Sequence, residues 1–323
     1  RIVAPPHGSM LPMSPVRKNI LMVACALGLL IPVVIIFICE NMNTRVRGRK
    51  DLESVTVPFI GEIPLFTRKK KGIFRKKPQE VRAIVVKEGS RDIINEAFRV
   101  LRTNLEFMTG KDKASNVIIV TSFNPGSGKS FLTMNIAVSF AIKGKKVLVI
   151  DGDLRHGSAS SYIDSPTKGL SDYLGGRIDN LNEIIVTNPK QKYLDILPVG
   201  TIPPNPTELL FDDRLKQVID TVREQYEYVL IDCPPIELVA DTQIIEKLAD
   251  RTIFVVRAGL LELSMLAELE KIYGEKKYKN MSLILNGTEG SGGRYGYRYG
   301  YRYGYHYGYG SEYHYGSDEK YIE

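Results

Sequence analysis

Apolar positions along the chain fall into three kinds of run. The first is unbroken: "ILMVACALGLLIPVVIIFIC", Ile20 to Cys39, holds twenty residues without a charge. At about 1.5 Å rise per residue, a helix of this length covers the roughly 30 Å hydrocarbon core of a bilayer, and one proline (Pro32) is tolerated there. A secretory leader is the poorer reading, because the run is too long and no small-residue cleavage site follows it. The second kind is short and repeated. "NVIIVTS" (116–122), "KVLVID" (146–151), "LDILPV" (194–199), "YVLID" (228–232), "RTIFVVR" (251–257) and "MSLILN" (281–286) are near-continuously apolar, as strands covered on both faces must be. Helical stretches fill the gaps, so the expected product is an α/β fold with a doubly wound, mostly parallel sheet. Ligands of such sheets bind at the carboxyl ends of the strands.

The third kind is strict alternation. "RYGYRYGYRYGYHYGYG" (294–310) puts tyrosine at every second position, which by period alone suggests a strand. Half of the spacers are glycine, however, and no partner strand follows, so residues 289–323 read as a flexible Tyr/Gly-rich tail.

Charge sets the orientation. The net charge of +7 is concentrated after the apolar run, in Arg45, Arg47, Arg49, Lys50 and "RKKKGIFRKK" (68–77), whereas only Arg1, Arg17 and Lys18 precede it. Basic flanks mark the cytoplasmic side, so everything after Cys39 is expected in the cytoplasm and anionic lipid is the expected partner of the basic stretch. The predicted organisation is a Pro-rich extracytoplasmic segment (1–19), a membrane helix (20–39), a basic connector (40–80), one α/β domain (81–288) and the tail (289–323). So short an extracytoplasmic segment implies that an upstream part is missing. The four histidines and three cysteines show no zinc spacing, and three cysteines make no disulfide framework.

The chemistry concentrates at strand ends. "NVIIVTS" runs into "FNPGSGKS" and then a helical stretch, the strand, glycine-rich loop and helix order of a phosphate-binding P-loop. Pro125, Gly126, Ser127, Gly128, Lys129, Ser130 and Phe131 are the expected cradle. Gly126 and Gly128 let backbone approach phosphate, Lys129 supplies a positive charge, and the Ser130 hydroxyl ligates Mg²⁺. Phe123 stands where the full consensus has its first glycine. Two acidic strand ends follow: "VLVIDGDLR", with Asp151 and Asp153, and "YVLIDCPP", with Asp232 placed to reach a metal. Taken singly, either is an ordinary turn.

Together these motifs resemble the cytoplasmic half of a bacterial tyrosine autokinase of the polysaccharide co-polymerase family, with "VLVIDGDLR" similar to its additional Walker A′ motif and "VLIDCPP" to its Walker B motif. The likeness extends to "APPHGSMLPMSP", "GEIP" (61–64), "GLSDYL" (169–174), "NPTELL" (205–210) and the tyrosine-rich tail. It implies phosphoryl transfer from ATP with Mg²⁺ to tyrosine. It also implies Lys129, Asp151, Asp153 and Asp232 as catalytic residues, Ser130, Asp151 and Asp232 as metal ligands, and Asp151 as the group that orients or deprotonates the phenol. Glu96, Arg99 and Arg102 of "EAFRVLR" match the family's ExxRxxR motif for ring assembly, steps of three that would form one oblique helical stripe. The expected acceptors are Tyr295, Tyr297, Tyr299, Tyr301, Tyr303, Tyr305, Tyr307, Tyr309, Tyr313, Tyr315 and Tyr321, presented to a neighbouring subunit. Implied partners are other copies of the chain, the polysaccharide polymerisation and export machinery and a tyrosine phosphatase, at a bacterial inner membrane.

Two rivals share the fold. A positioning ATPase resembling MinD or ParA lacks a reason for the membrane helix and the tyrosines, and would carry a further lysine near Phe123. A structural chain-length regulator with an inactive nucleotide domain has no need of Lys129, Ser130, Asp151 and Asp232. Nucleic acid is a poor partner for a membrane-tethered chain with three arginines in its tail. Asn286, at the end of the last strand, is a candidate adenine contact by similarity to related P-loop ATPases.

Overall fold

Strand residues that alternate in direction sort the core into two layers. The computed structural model describes residues 17–41, 43–66, 83–109, 116–188, 191–237 and 240–289. Eight strands form one sheet: β1 (Phe59–Pro64), β2 (Asn116–Thr121), β3 (Val147–Asp151), β4 (Val186–Thr187), β5 (Leu194–Leu197), β6 (Tyr228–Asp232), β7 (Arg251–Arg257) and β8 (Ser282–Thr288). Their order is β1-β8-β7-β2-β6-β3-β5-β4, parallel throughout except for the β4–β5 pair. All residues of β2, β3 and β6 are buried, which is why these strands read as continuous apolar runs.

Ile118, Val120, Val147 and Val149 face the layer built by α2 (Ile93–Thr109) and α3 (Lys129–Ala141). Val117, Ile119, Leu148 and Ile150 face the opposite layer. That second layer contains α4 (Leu170–Leu174), α6 (Asp213–Gln225), α7 (Asp241–Glu246) and α8 (Met265–Gly274), while α5 (Pro206–Leu210) lies against α4 and α7. Leu215, Val218, Ile219 and Val222 give α6 its buried stripe at helical spacing.

The amino-terminal helix α1 (Arg17–Asn41) encloses the apolar run, and no part of its apolar window is buried against the other described residues. It is long and apolar enough to cross a membrane.

Residues 43–66 depart from the expected connector. Val46, Leu52 and Val57 are buried in the core, and β1 pairs with β8 along the sheet edge. The Val46 N–H donates to the Leu261 carbonyl at 2.9 Å, and Leu263 donates back to Thr44 at 2.7 Å. The α/β unit therefore begins well before residue 81. Six-residue β1 holds Gly61 and Pro64 and escaped detection because an edge strand need not be apolar on both faces. "RKKKGIFRKK" lies outside the described residues.

Beyond β3 the chain closes on itself through two glycines. Leu170 and Ser171 donate to the carbonyls of Pro198 and Val199, at 2.8 and 2.9 Å. A Cβ on Gly169 would overlap the backbone of Gly200 and Pro198, neither of which can move alone. Gly169→Ala is expected to destabilise the fold by roughly 3 kcal/mol, a loss of about 6–12 °C in Tm for a domain of this size. Thermal unfolding followed by far-UV circular dichroism checks this, and an unchanged Tm would refute the packing argument.

Candidate functional site

Parallel register brings the three motifs together. Asp232 at the end of β6 is level with Val120 of β2 on one side and with Asp151 of β3 on the other. The loop leaving β2 is the glycine-rich loop, so it rises directly beside both carboxylates. A Cβ on Gly152 would come within 2.9 Å of Ile231 and 3.1 Å of the Asp232 carbonyl, and the Gly152 N–H donates to that carbonyl at 2.9 Å. Glycine at 152 thus lets the two acidic strand ends approach.

The loop is ordered from within and from behind. The hydroxyls of Ser122 and Ser127 both donate to the Asn124 carbonyl, at 2.8 and 2.7 Å. Gly126 and Gly128 take positive φ, 74° and 87°, conformations that favour glycine. Gly128 caps α3, so the amino-terminal end of that helix opens directly from the loop, and the Lys129 ammonium is close enough to Asp232 to oppose the rise in its pKa. Phe123, where the consensus has glycine, is buried edge-to-face against Phe254 at 4.9 Å and supplies an apolar base. Asn286 is buried too, and its amide donates to the Ser127 carbonyl at 2.8 Å. That hydrogen bond gives Asn286 a role in holding the loop that the sequence did not show, and it uses one of the two amide N–H donors.

The carboxylates differ in their partners. Asp151 is fully buried, and its Oδ2 accepts from both the backbone N–H and the hydroxyl of Ser160, each at 2.6 Å. Among the described residues its Oδ1 has no hydrogen-bond partner, and neither oxygen of Asp232 has one. Burial raises the pKa of both, and the negative charge of Asp232 raises Asp151 further. Near Asp232, the Ser130 hydroxyl and the Lys129 ammonium pull the other way without cancelling the rise. Buried acceptors left unsatisfied are costly, so this pair is built to receive something positively charged. Asp153 serves the turn, with its Oδ1 accepting from the N–H groups of Arg155 and His156 at 3.2 Å.

Mg²⁺ fits this donor set. It keeps waters and takes one or two carboxylates together with substrate phosphates, and does not need a closed protein cage. Among the described residues no group of three or more His, Cys, Asp or Glu side chains could hold a metal ion without other ligands.

One cluster escaped the sequence reading. Arg155 of "VLVIDGDLR" donates to buried Asp241 at 3.0 Å and to Thr207 at 2.9 Å, and Thr207 donates to Asp241 at 2.6 Å. It ties the acidic loop to α5 and α7. Asp241 carried no motif of its own, and only the tertiary fold brings it there.

The expected ExxRxxR stripe is split. Glu96 and Arg99 pair on the exposed face of α2, and Arg99 also donates to the Ser90 carbonyl at 3.1 Å. Arg102 points inward, 6% exposed, and donates to the Ser139 carbonyl of α3 at 2.8 Å. Three-residue steps drift around the helix, and two of them carry Arg102 onto the buried side. The eleven tail tyrosines lie outside the described residues.

A family described as AAA domain matches residues 115–283. The tyrosine-protein kinase YwqD of Bacillus subtilis is 35% identical over 209 residues, covering 64% of this chain and 87% of that protein. The tyrosine-protein kinase etk of Escherichia coli K12 is 31% identical over 272 residues, 80% of this chain and 37% of that protein. Among solved structures, the kinase domain of Escherichia coli tyrosine kinase ETK superposes with a TM-score of 0.66 at 28% identity, covering 84% of this chain and 100% of that one. The chain spans only 34–38% of the length of the longer curated relatives it matches.

Proposed function

The chain belongs to the family of bacterial tyrosine-protein kinases, and from that premise we propose that it is a membrane-anchored, ATP-dependent autokinase whose acceptors are its own C-terminal tyrosines. The observation that carries this reading is the pair of buried, incompletely bonded carboxylates, Asp151 and Asp232, level with each other beside the glycine-rich loop.

The nucleotide's phosphates lie against the loop from Pro125 to Phe131, with Lys129 offsetting charge on the group in transfer. Ser130 and Asp232 are the residues that would hold Mg²⁺, which would neutralise phosphate charge when bound, with the Asp151 carboxylate level with Asp232 beside them. Ser160 fixes one oxygen of Asp151 and leaves Oδ1 for the phenol proton. A tyrosine hydroxyl attacks the γ-phosphorus, its proton passes to Asp151 Oδ1, the bond to the bridging oxygen breaks, and ADP leaves. A phenol with a pKa near 10 needs such an acceptor, and burial makes Asp151 a stronger base than an ordinary carboxylate.

Regulation follows from charge. From Arg294 to Glu323 there are four positive and four negative side chains. Each phosphate adds about −1.5 to −2, so modified tails repel one another within the Debye length of about 8 Å. Unmodified tails favour a ring of copies and modified tails release it, which controls capsule or exopolysaccharide polymerisation and export. A phosphatase resets the tail. The helix α1 anchors the chain in the inner membrane with the domain in the cytoplasm, and its basic neighbours meet anionic lipid.

Mass spectrometry after incubation of the full chain with Mg·ATP tests the core of this reading. Multiple phosphates on residues 295–321, absent from Lys129→Met, are the expected result. ATP turnover with an unmodified tail would overturn it in favour of a positioning ATPase.

A further inference from the structure

A second concavity lies at the far end of α3 from the phosphate loop. A cavity of about 330 Å³ opens between residues 86–89, α2 and the last turn of α3. Its wall includes Lys87, Glu88, Arg99, Arg102, Ser139 and Lys143, four cations against one carboxylate. Ser139 stands ten residues beyond Lys129 along the helix, so the two sites are separated by about 15 Å at 1.5 Å per residue.

Arg102 is the unusual member. Both of its hydrogen bonds come from Nη1 and end on Ser139, at 2.8 Å to the carbonyl and 3.2 Å to the hydroxyl. Among the described residues its Nε has no hydrogen-bond partner, and the Glu106 carboxylate is 3.9 Å away. Burial is the main cause that lowers the Arg102 pKa, Arg99 adds to it, and Glu106 offsets only part. A guanidinium stays charged in proteins, so this one is left short of negative charge in a cavity that other cations share.

We propose that this cavity binds a phosphotyrosine of the chain's own C-terminal segment. The inference rests on the reading of that segment as the phosphoacceptor. A planar guanidinium matches a phosphate dianion, and two lysines at the rim add charge without steric demand. Unmodified, residues 294–323 carry no net charge and offer the cavity little; each phosphate supplies the missing dianion. The 34 residues from 290 to 323 can reach about 110 Å when extended, several times the separation of the two sites. Capture engages Arg99, which otherwise pairs with Glu96, so the product of transfer alters the α2 face that a second copy meets.

The test uses the full chain carrying Lys129→Met in detergent micelles and a fluorescent peptide of residues 300–310, with and without phosphate on Tyr305. Supplying the phosphate synthetically separates this question from whether the chain phosphorylates itself. Fluorescence anisotropy should show the phosphopeptide binding at least about tenfold tighter than the plain peptide. Lys87→Glu with Lys143→Glu, both exposed side chains, should weaken it by about tenfold or more while leaving thermal unfolding unchanged. Arg102→Gln should weaken binding by a similar factor, and the lysine pair keeps the test valid if that variant, which loses the bonds to Ser139, misfolds. Equal binding of the two peptides, indifference to the lysine reversals, or inorganic phosphate binding as tightly as the phosphopeptide would each overturn the assignment.

Discussion

Asp232→Asn is expected to reduce tail phosphorylation on the order of 10²-fold or more and, at the same time, to raise the melting temperature of the nucleotide-free chain. The two effects share one cause. Asp232 and Asp151 are buried at level positions, and three of their four oxygens lack a partner among the described residues. Burial holds the folded-state pKa of each above the usual carboxylate range. For an acid raised in this way the folded state binds the proton more tightly than the unfolded chain does. Stability is therefore greatest below the unfolded pKa of about 4 and is lost as pH rises through the folded pKa of the pair. Asparagine removes one charge and relieves Asp151 of its repulsive neighbour. The gain should be near zero at about pH 4 and about 1–3 kcal/mol at about pH 8, which for a domain of this size is roughly 2–12 °C. Circular dichroism melts at the two pH values, beside phosphotransfer assays, check both halves. A variant less stable than wild type at the higher pH would show that Asp232 is held by contacts that offset its charge.

Gly128→Ala should weaken nucleotide binding on the order of 10²-fold while leaving the sheet intact. The residue sits at φ 87°, where a Cβ is strained, and that Cβ would run into the Asn286 amide. Asn286 cannot swing away cheaply, because it is buried and its amide holds the Ser127 carbonyl. The loop must then shift, and a displacement of about 1 Å in a phosphate cradle costs on the order of 10²-fold in function. Titration of the full chain with a fluorescent ATP analogue reads the loss, and near-native affinity would mean that Asn286 is not the rear support of the loop.

Much of this site was legible before any fold was known. Glycine spacing followed by Lys129 and Ser130, and acids closing apolar strands, are local signals, because backbone conformation and strand termination act over a few residues. The Arg155, Asp241 and Thr207 cluster was not legible. Its members are separated by 52 and 34 residues, and nothing in their neighbours marks them as partners. Arg102 shows the converse: its spacing from Glu96 and Arg99 was plain, but spacing cannot say which side of α2 is covered. The packing of α3 decides that, by placing the Ser139 carbonyl within 2.8 Å.

By itself the sequence determined the apolar helix, the parallel strands buried on both faces and the three motifs at their carboxyl ends, since each follows from hydrophobic period and short-range sterics. Only the tertiary structure decided that residues 43–66 join the domain, that Asp232 is level with Asp151, and that Asn286 braces the loop. Those outcomes depend on strand order and register. Order and register are set by burial summed over the whole sheet, a quantity no local stretch of residues contains.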